Sequence, residues 1–232
     1  MNKLIKYQPL LIIVPIICAI LDFKGLGSIY KYTVAFACGI ILCLAYGRNI
    51  KKDVWIVVAA FMFSIAGGWF LSNRRGLEIR FIYGIFCYFI AHLGFLWYAM
   101  KNGKMNKWVL YITLTVYLAF YIFMLYPSID SKPLGLAALC YLLISCISLA
   151  AAAGLRFSAL PKWLFAAGIF SLVFSDTIIA FKEFLNYDKY YSLLMMPTYF
   201  LSHILITLGL LIHHTLCTQA STRPAIFMSC KL

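Results

Sequence analysis

The sequence predicts an all-α integral membrane protein, a bundle of eight transmembrane helices. Three observations carry that expectation. Of 232 residues, 64% are hydrophobic and only 12% charged. Mean hydropathy is +0.92. Apolar runs of bilayer-crossing length recur along the chain, broken by Gly, Pro and charge. A soluble globular domain carries about 45–50% apolar and about 25% charged residues, so this chain has too little polar surface to clothe a ball of its size in water. It also lacks the polarity of a disordered chain.

The first span, Tyr7–Leu21, follows Lys3 and Lys6 as a signal peptide would. Asp22-Phe23-Lys24, rather than a small-residue cleavage site, comes next, so the run reads as a retained helix. The spans that follow are Tyr30–Tyr46, Val54–Ser72, Ile79–Met100, Trp108–Tyr126, Pro133–Ala153, Trp163–Phe181 and Ser192–His214. Their short connections predict antiparallel sequential neighbours. Residues 1–217 read as one eight-helix domain and 218–232 as a polar tail. Trp108, Tyr126, Trp163 and Tyr191 sit at span ends, where an interfacial aromatic belt accounts for them.

The formal charge of +13 comes from 20 Lys/Arg against 7 Asp/Glu. The basic residues sit in short loops, which reads as topology and anionic lipid rather than nucleic acid. Twelve fall on the side of the termini (Lys3, Lys6, Arg48, Lys51, Lys52, Lys101, Lys104, Lys107, Arg156, Lys162, Arg223, Lys231) and eight opposite. That bias predicts cytoplasmic termini of a multi-pass protein, in the inner membrane if the source is bacterial. The 8 cysteines form no C-x-x-C pair and no ligand spacing with His. No disulfide framework, metal site or cofactor is expected.

An ionisable side chain inside a membrane helix is a functional candidate by default. Three lie well inside spans: Asp176, His92 and His203. Asp176 follows Ser175, with Ser171 a turn earlier; Tyr199 and His203, four apart, share one helix face. Apolar surroundings disfavour the charged form of an acid, which suits a general acid. The same acid, satisfied by Ser, Tyr or His, also serves as a lock between helices, and the residues alone leave both readings open. No G-x-S-x-G elbow, phosphate-binding glycine loop or H-E-x-x-H occurs.

Several short motifs, in order and at spacing, resemble the YhhN-like membrane protein family, which includes the lysoplasmalogenases. Leu160-Pro161 opens the seventh span, and Phe174-Ser175-Asp176 is similar to the family's S-D signature, continued by Ile179-Ala180 and Phe184. Thr198-Tyr199-Phe200-Leu201-Ser202-His203 resembles a T-Y-x-x-(A/S)-Q stretch, with His203 where Gln is usual. Gly84, Tyr88, Ala91, His92 and Phe95 resemble G-x-x-x-F-x-x-A-H-x-x-Y. The resemblance implies hydrolysis of the vinyl ether of a lysolipid, with two carboxylates at the site. Here Phe63-Ser64-Ile65-Ala66-Gly67-Gly68-Trp69 puts Gly68 where the family's other acid stands.

The expectation is therefore a lysoplasmalogenase-like hydrolase, weakened or altered by Gly68, with Asp176 as proton donor and His92 beside it. Tyr199, His203, Ser175, Tyr88 and Gly68 are expected to contact substrate. Glu78 or Asp22 are alternative replacements for the missing acid. The alternative function is a non-catalytic lipid-binding relative. Either way the partners are a lysolipid, as substrate or bound lipid, and the membrane.

Overall fold

The computed structural model describes residues 8–25, 30–47, 53–187 and 191–222. Lys3, Lys6, Arg48, Lys51, Lys52, Asp188, Lys189, Arg223, Cys230 and Lys231 lie outside the described residues. The described chain forms eight α-helices: α1 (Ile13–Phe23), α2 (Tyr30–Tyr46), α3 (Val54–Ser72), α4 (Glu78–Lys101), α5 (Lys107–Phe120), α6 (Lys132–Ala152), α7 (Ala159–Leu185) and α8 (Tyr191–Thr222). A 3-10 segment, Gln8–Ile12, leads into α1, and a π-helical turn, Tyr121–Leu125, extends α5. Residues 218–222, expected in the polar tail, continue α8.

Six of these, α3 to α8, are long and apolar enough to cross a membrane, α5 together with its π extension. The helix number therefore agrees with the sequence expectation, and full crossing length holds for six. α1 and α2 have 11 and 17 residues. Both stop at glycines with left-handed φ, Gly25 at 71° and Gly47 at 52°, a conformation that other residues adopt at a cost.

α7 lies along α8, α3 along α4, and α2 beside both α3 and α8. Sequential pairing lapses at α4, which packs extensively on α6 as well as on α3. α5 buries none of its residues and flanks α6 from outside. Small side chains let α6 take the central place: Gly135, Ala138, Ser145, Ser148, Ala151 and Ala152 are all buried. Backbone bonds then fix the register of α4 against α6. Arg156 N donates to Asn102 O, Lys104 N to Gly154 O and Asn106 N to Ala150 O, each at 3.0 Å.

The α7–α8 seam closes over Gly168. A Cβ there would stand 2.6 Å from the Ile206 side chain and 2.9 Å from both Ile206 N and Ser202 O. Backbone cannot yield as a side-chain tip does, so overpacking of this kind costs about 1–3 kcal/mol. Gly168→Ala is expected to lower the thermal unfolding midpoint of the detergent-purified protein by several degrees. An unchanged midpoint would contradict this packing.

Candidate active site

Asp176 sits nine residues before the end of α7 at Leu185, about 14 Å along the helix. Its carboxylate is 12% exposed, enough for contact with a ligand and too little for full hydration. Tyr141 of α6 donates its hydroxyl to Asp176 Oδ2. His92 of α4 brings Nε2 to 3.8 Å from the same oxygen. On its other side His92 Nδ1 lies 2.7 Å from Ser148 Oγ, and Ser148 also reaches Ser145 O at 3.3 Å. Three helices thus converge on one acid.

The order Asp176–His92–Ser148 uses the residue types of a serine hydrolase in reverse. Ser148 and His92 are completely buried, whereas Asp176 borders open space. A nucleophile must meet substrate, so Ser148 does not fill that role. It fixes the imidazole instead. When Ser148 donates to Ser145 O, His92 Nδ1–H donates to Ser148 and Nε2 carries the lone pair; the opposite tautomer turns Nε2–H toward Asp176. His92 Nε2 has no hydrogen-bond partner in the described structure. The arrangement holds a carboxyl beside an imidazole that is free on the acid's side, which suits proton storage and return.

The open space beside Asp176 is an apolar pocket between α4, α5, α6 and α7, and ligand sites are characteristically apolar clefts with a few placed polar groups. Ile85, Tyr117, Phe120, Leu125, Leu142 and Val173 form much of its wall. Tyr117 and Thr177 close one side through their hydroxyls, 2.9 Å apart. The π-helical turn borders the same space through Leu125, and such turns occur frequently at functional sites.

A smaller cavity lies behind Tyr88, which with Leu71 and Ile179 lines both. Gly68, Ser175, Tyr199 and Lys31 border this second space. Ser175 donates to Met195 O at 3.0 Å, tying α7 to α8 near Pro197. His203 stays in the adjoining core: its ring lies 4.8 Å from that of Phe61 and 4.5 Å from that of Tyr199, and Nδ1 is 2.9 Å from Tyr199 O. Asp176 and His92 are therefore together, Tyr88 stands between the two cavities, and His203 belongs to neither lining.

The two adjacent glycines of α3 differ in role. A Cβ on Gly67 would stand 2.8 Å from the Tyr88 ring, so Gly67 is the close-packing position. A Cβ on Gly68 would meet Tyr88 Oη at 3.3 Å and Tyr32 at 3.7 Å, so a side chain there needs the Tyr88 hydroxyl to shift by a few tenths of an ångström. Glu78 accepts from Ser131 at 2.5 Å at the end of the bundle and does not line the cavity of Asp176. Among the described residues, no group of three His, Cys, Asp or Glu side chains stands ready to hold a metal ion.

Tyr141 and Ser148 were not singled out by sequence. A signal existed: Tyr141, Ser145 and Ser148 fall at i, i+4 and i+7, one polar stripe on an otherwise apolar helix. Removing the Ser148 hydroxyl leaves His92 Nδ1 buried without its partner, at a cost of about 1–3 kcal/mol. Ser148→Ala is expected to lower the thermal midpoint accordingly, and an unchanged midpoint would place no weight on this bond.

The comparison with curated proteins returns no match, and neither does that with solved structures. The pattern of the YhhN family matches residues 29–210, which take in α2 to α7 and the part of α8 that carries Tyr199 and His203. With most of the chain covered, and Asp176 and His92 inside the match, this protein belongs to the YhhN family.

Proposed function

We propose that the protein hydrolyses the vinyl ether of a single-chain, lysoplasmalogen-type lipid, with Asp176 as the proton donor. The observation that carries this reading is the place of Asp176: a partly exposed acid, backed by His92 and Tyr141, on the wall of an apolar cavity inside a helical bundle.

The chemistry follows from the group's position. Neutral Asp176 gives its proton to the outer carbon of the C=C–O unit, leaving an oxocarbenium ion beside a new carboxylate. Tyr141 donates to that carboxylate, and the negative charge steadies the cation at close range. Water adds to the cationic carbon and returns a proton to Asp176. The resulting hemiacetal breaks its bond to the glycerol oxygen, giving a fatty aldehyde and a glycerophospho-alcohol, with one water consumed. Glycosidases divide comparable work between two carboxyls. With Gly68 in place of one of them, Asp176 acts as acid and then base, and the His92 imidazole stands 3.8 Å from its carboxylate.

The excess of Lys and Arg on the side of the termini supports cytoplasmic termini. α1 and α2 complete eight crossings in this reading. Gly68 also favours a second reading, a lipid-binding relative that has lost the reaction.

General acid–base groups contribute about 10²–10⁴ in rate. Asp176→Asn is therefore expected to cut aldehyde release from lysoplasmalogen by about a hundredfold or more. No release by the unmodified protein above a protein-free control would exclude the hydrolase and leave the lipid-binding reading. Gly68→Asp, accommodated by a small shift of the Tyr88 hydroxyl, is expected to raise the rate about tenfold or more. A folded Gly68→Asp variant with unaltered rate would show that a helix-3 acid has no work at this site.

A further inference from the structure

The end of the bundle carrying the α3–α4, α5–α6 and α7–α8 connections holds an open polar cavity. Arg74, Glu78, Asp130, Lys182 and Glu183 supply its charges. It meets the apolar cavity at Phe81 and Phe184, which line both and face each other edge-on with centroids 5.8 Å apart. Arg74 lies over the Phe81 ring, 5.9 Å from its centroid, and pairs with Glu183, the residue before Phe184. One guanidinium therefore touches both sides of the throat.

The two cavities together have the shape of an amphiphile site, charged at the rim and apolar within. Spacing ties them to one molecule. Lys182 is six residues beyond Asp176 on α7, about 9 Å along the helix. From the phosphorus of a glycerophospholipid to the outer vinyl carbon there are seven bonds, about 9 Å when extended at bond lengths near 1.5 Å. A phosphate at the level of Lys182 thus sets the reactive carbon at the level of Asp176.

We propose that this vestibule is a phosphodiester subsite, in which Arg74 and Lys182 hold the head of a single-chain lipid whose tail enters the cavity of Asp176. The proposal rests on the reading of that cavity as a lipid site. Arg74 matches a phosphate with a planar, two-pronged donor set, and it exchanges the Glu183 carboxylate for the phosphate on binding. Lys182, now 3.8 Å from the centre of the Tyr191 ring, adds a flexible point charge. Glu78, Asp130 and Glu183 outnumber the two cations. The balance favours a phosphodiester that also bears a positive group over one carrying negative charge alone.

The test is binding to the full-length protein in detergent micelles, with a saturated hexadecyl lysophosphatidylcholine ether, which has no vinyl ether to cleave. Hexadecyl glycerol ether, lacking the phosphate, is the reference ligand. The unmodified protein is expected to prefer the phosphate-bearing ether by about tenfold or more. Arg74→Gln and Lys182→Gln each reduce that preference severalfold and leave affinity for the glycerol ether unchanged, which also reports that the fold survives. Glu183→Gln, which frees Arg74, increases it. If Arg74→Gln fails to fold, Lys182→Gln decides. A preference untouched by these substitutions would overturn the subsite. Displacement of the lipid by inorganic phosphate at comparable concentration would overturn it too, assigning the charges to a free anion. Binding and cleavage separate the two proposals. Arg74-dependent binding without aldehyde release from the vinyl ether lipid supports the subsite and sinks the hydrolase; release with Arg74-independent affinity does the reverse.

Discussion

A carboxyl group placed inside a membrane bundle is costly unless its surroundings satisfy it. The protein meets that constraint at Asp176 with side chains from two other helices. Tyr141 of α6 donates to the acid and His92 of α4 stands on the same oxygen. Much of the architecture follows from bringing those helices together. α4 leaves its sequential neighbour α5 at the margin and packs on α6, which small residues make approachable. Loop bonds between Asn102–Asn106 and Ala150–Arg156 set the register that puts His92 opposite Ser148. Satisfaction stops short of completeness. Part of Asp176 remains exposed, and among the described residues His92 Nε2 has no hydrogen-bond partner.

The displaced helix explains the cavity. α5 buries none of its own residues and meets α7 through the Tyr117–Thr177 hydroxyls and the Phe120–Phe181 rings, with centroids 5.1 Å apart. The gap left between α4, α5, α6 and α7 is the apolar space that Asp176 borders. Loose attachment of one helix and tight attachment of another are thus two results of the same packing choice. Tyr88, with Leu71 and Ile179, lies between this space and the smaller cavity at Gly68.

Much of this was legible in the sequence because membrane helices announce themselves through composition. The bounds of α2 and α3 match the expected runs, since Gly and charge end those runs sharply. α7 and α8 run longer than their apolar stretches, to Leu185 and Thr222. Helical hydrogen bonding continues past the apolar limit, and the aromatic and charged residues there reach the rim. The extension sinks Asp176 deeper than the apolar run alone implies. α1 and α2 are apolar as expected but shorter than the six helices of clear crossing length, at 11 and 17 residues. Asp176 and His92 stood out as rare charges in apolar runs. Tyr141 and Ser148 did not, because Tyr and Ser are ordinary in such helices and only their spacing marks a face. His203 looked equivalent to His92 in sequence, yet helix rotation turned it onto Phe61 and Tyr199. Which helices face one another is a tertiary fact that periodicity within a single helix does not contain.

The central claim is that the acid of α7 meets the head end of a lipid chain lying in the apolar cavity. An experimental structure with a saturated single-chain ether phospholipid bound tests it most directly. The account predicts the ether oxygen within hydrogen-bonding distance of Asp176 and the chain running between α4, α5, α6 and α7. A chain bound elsewhere, with the Asp176 carboxyl enclosed by side chains and out of reach of the ether, would contradict it.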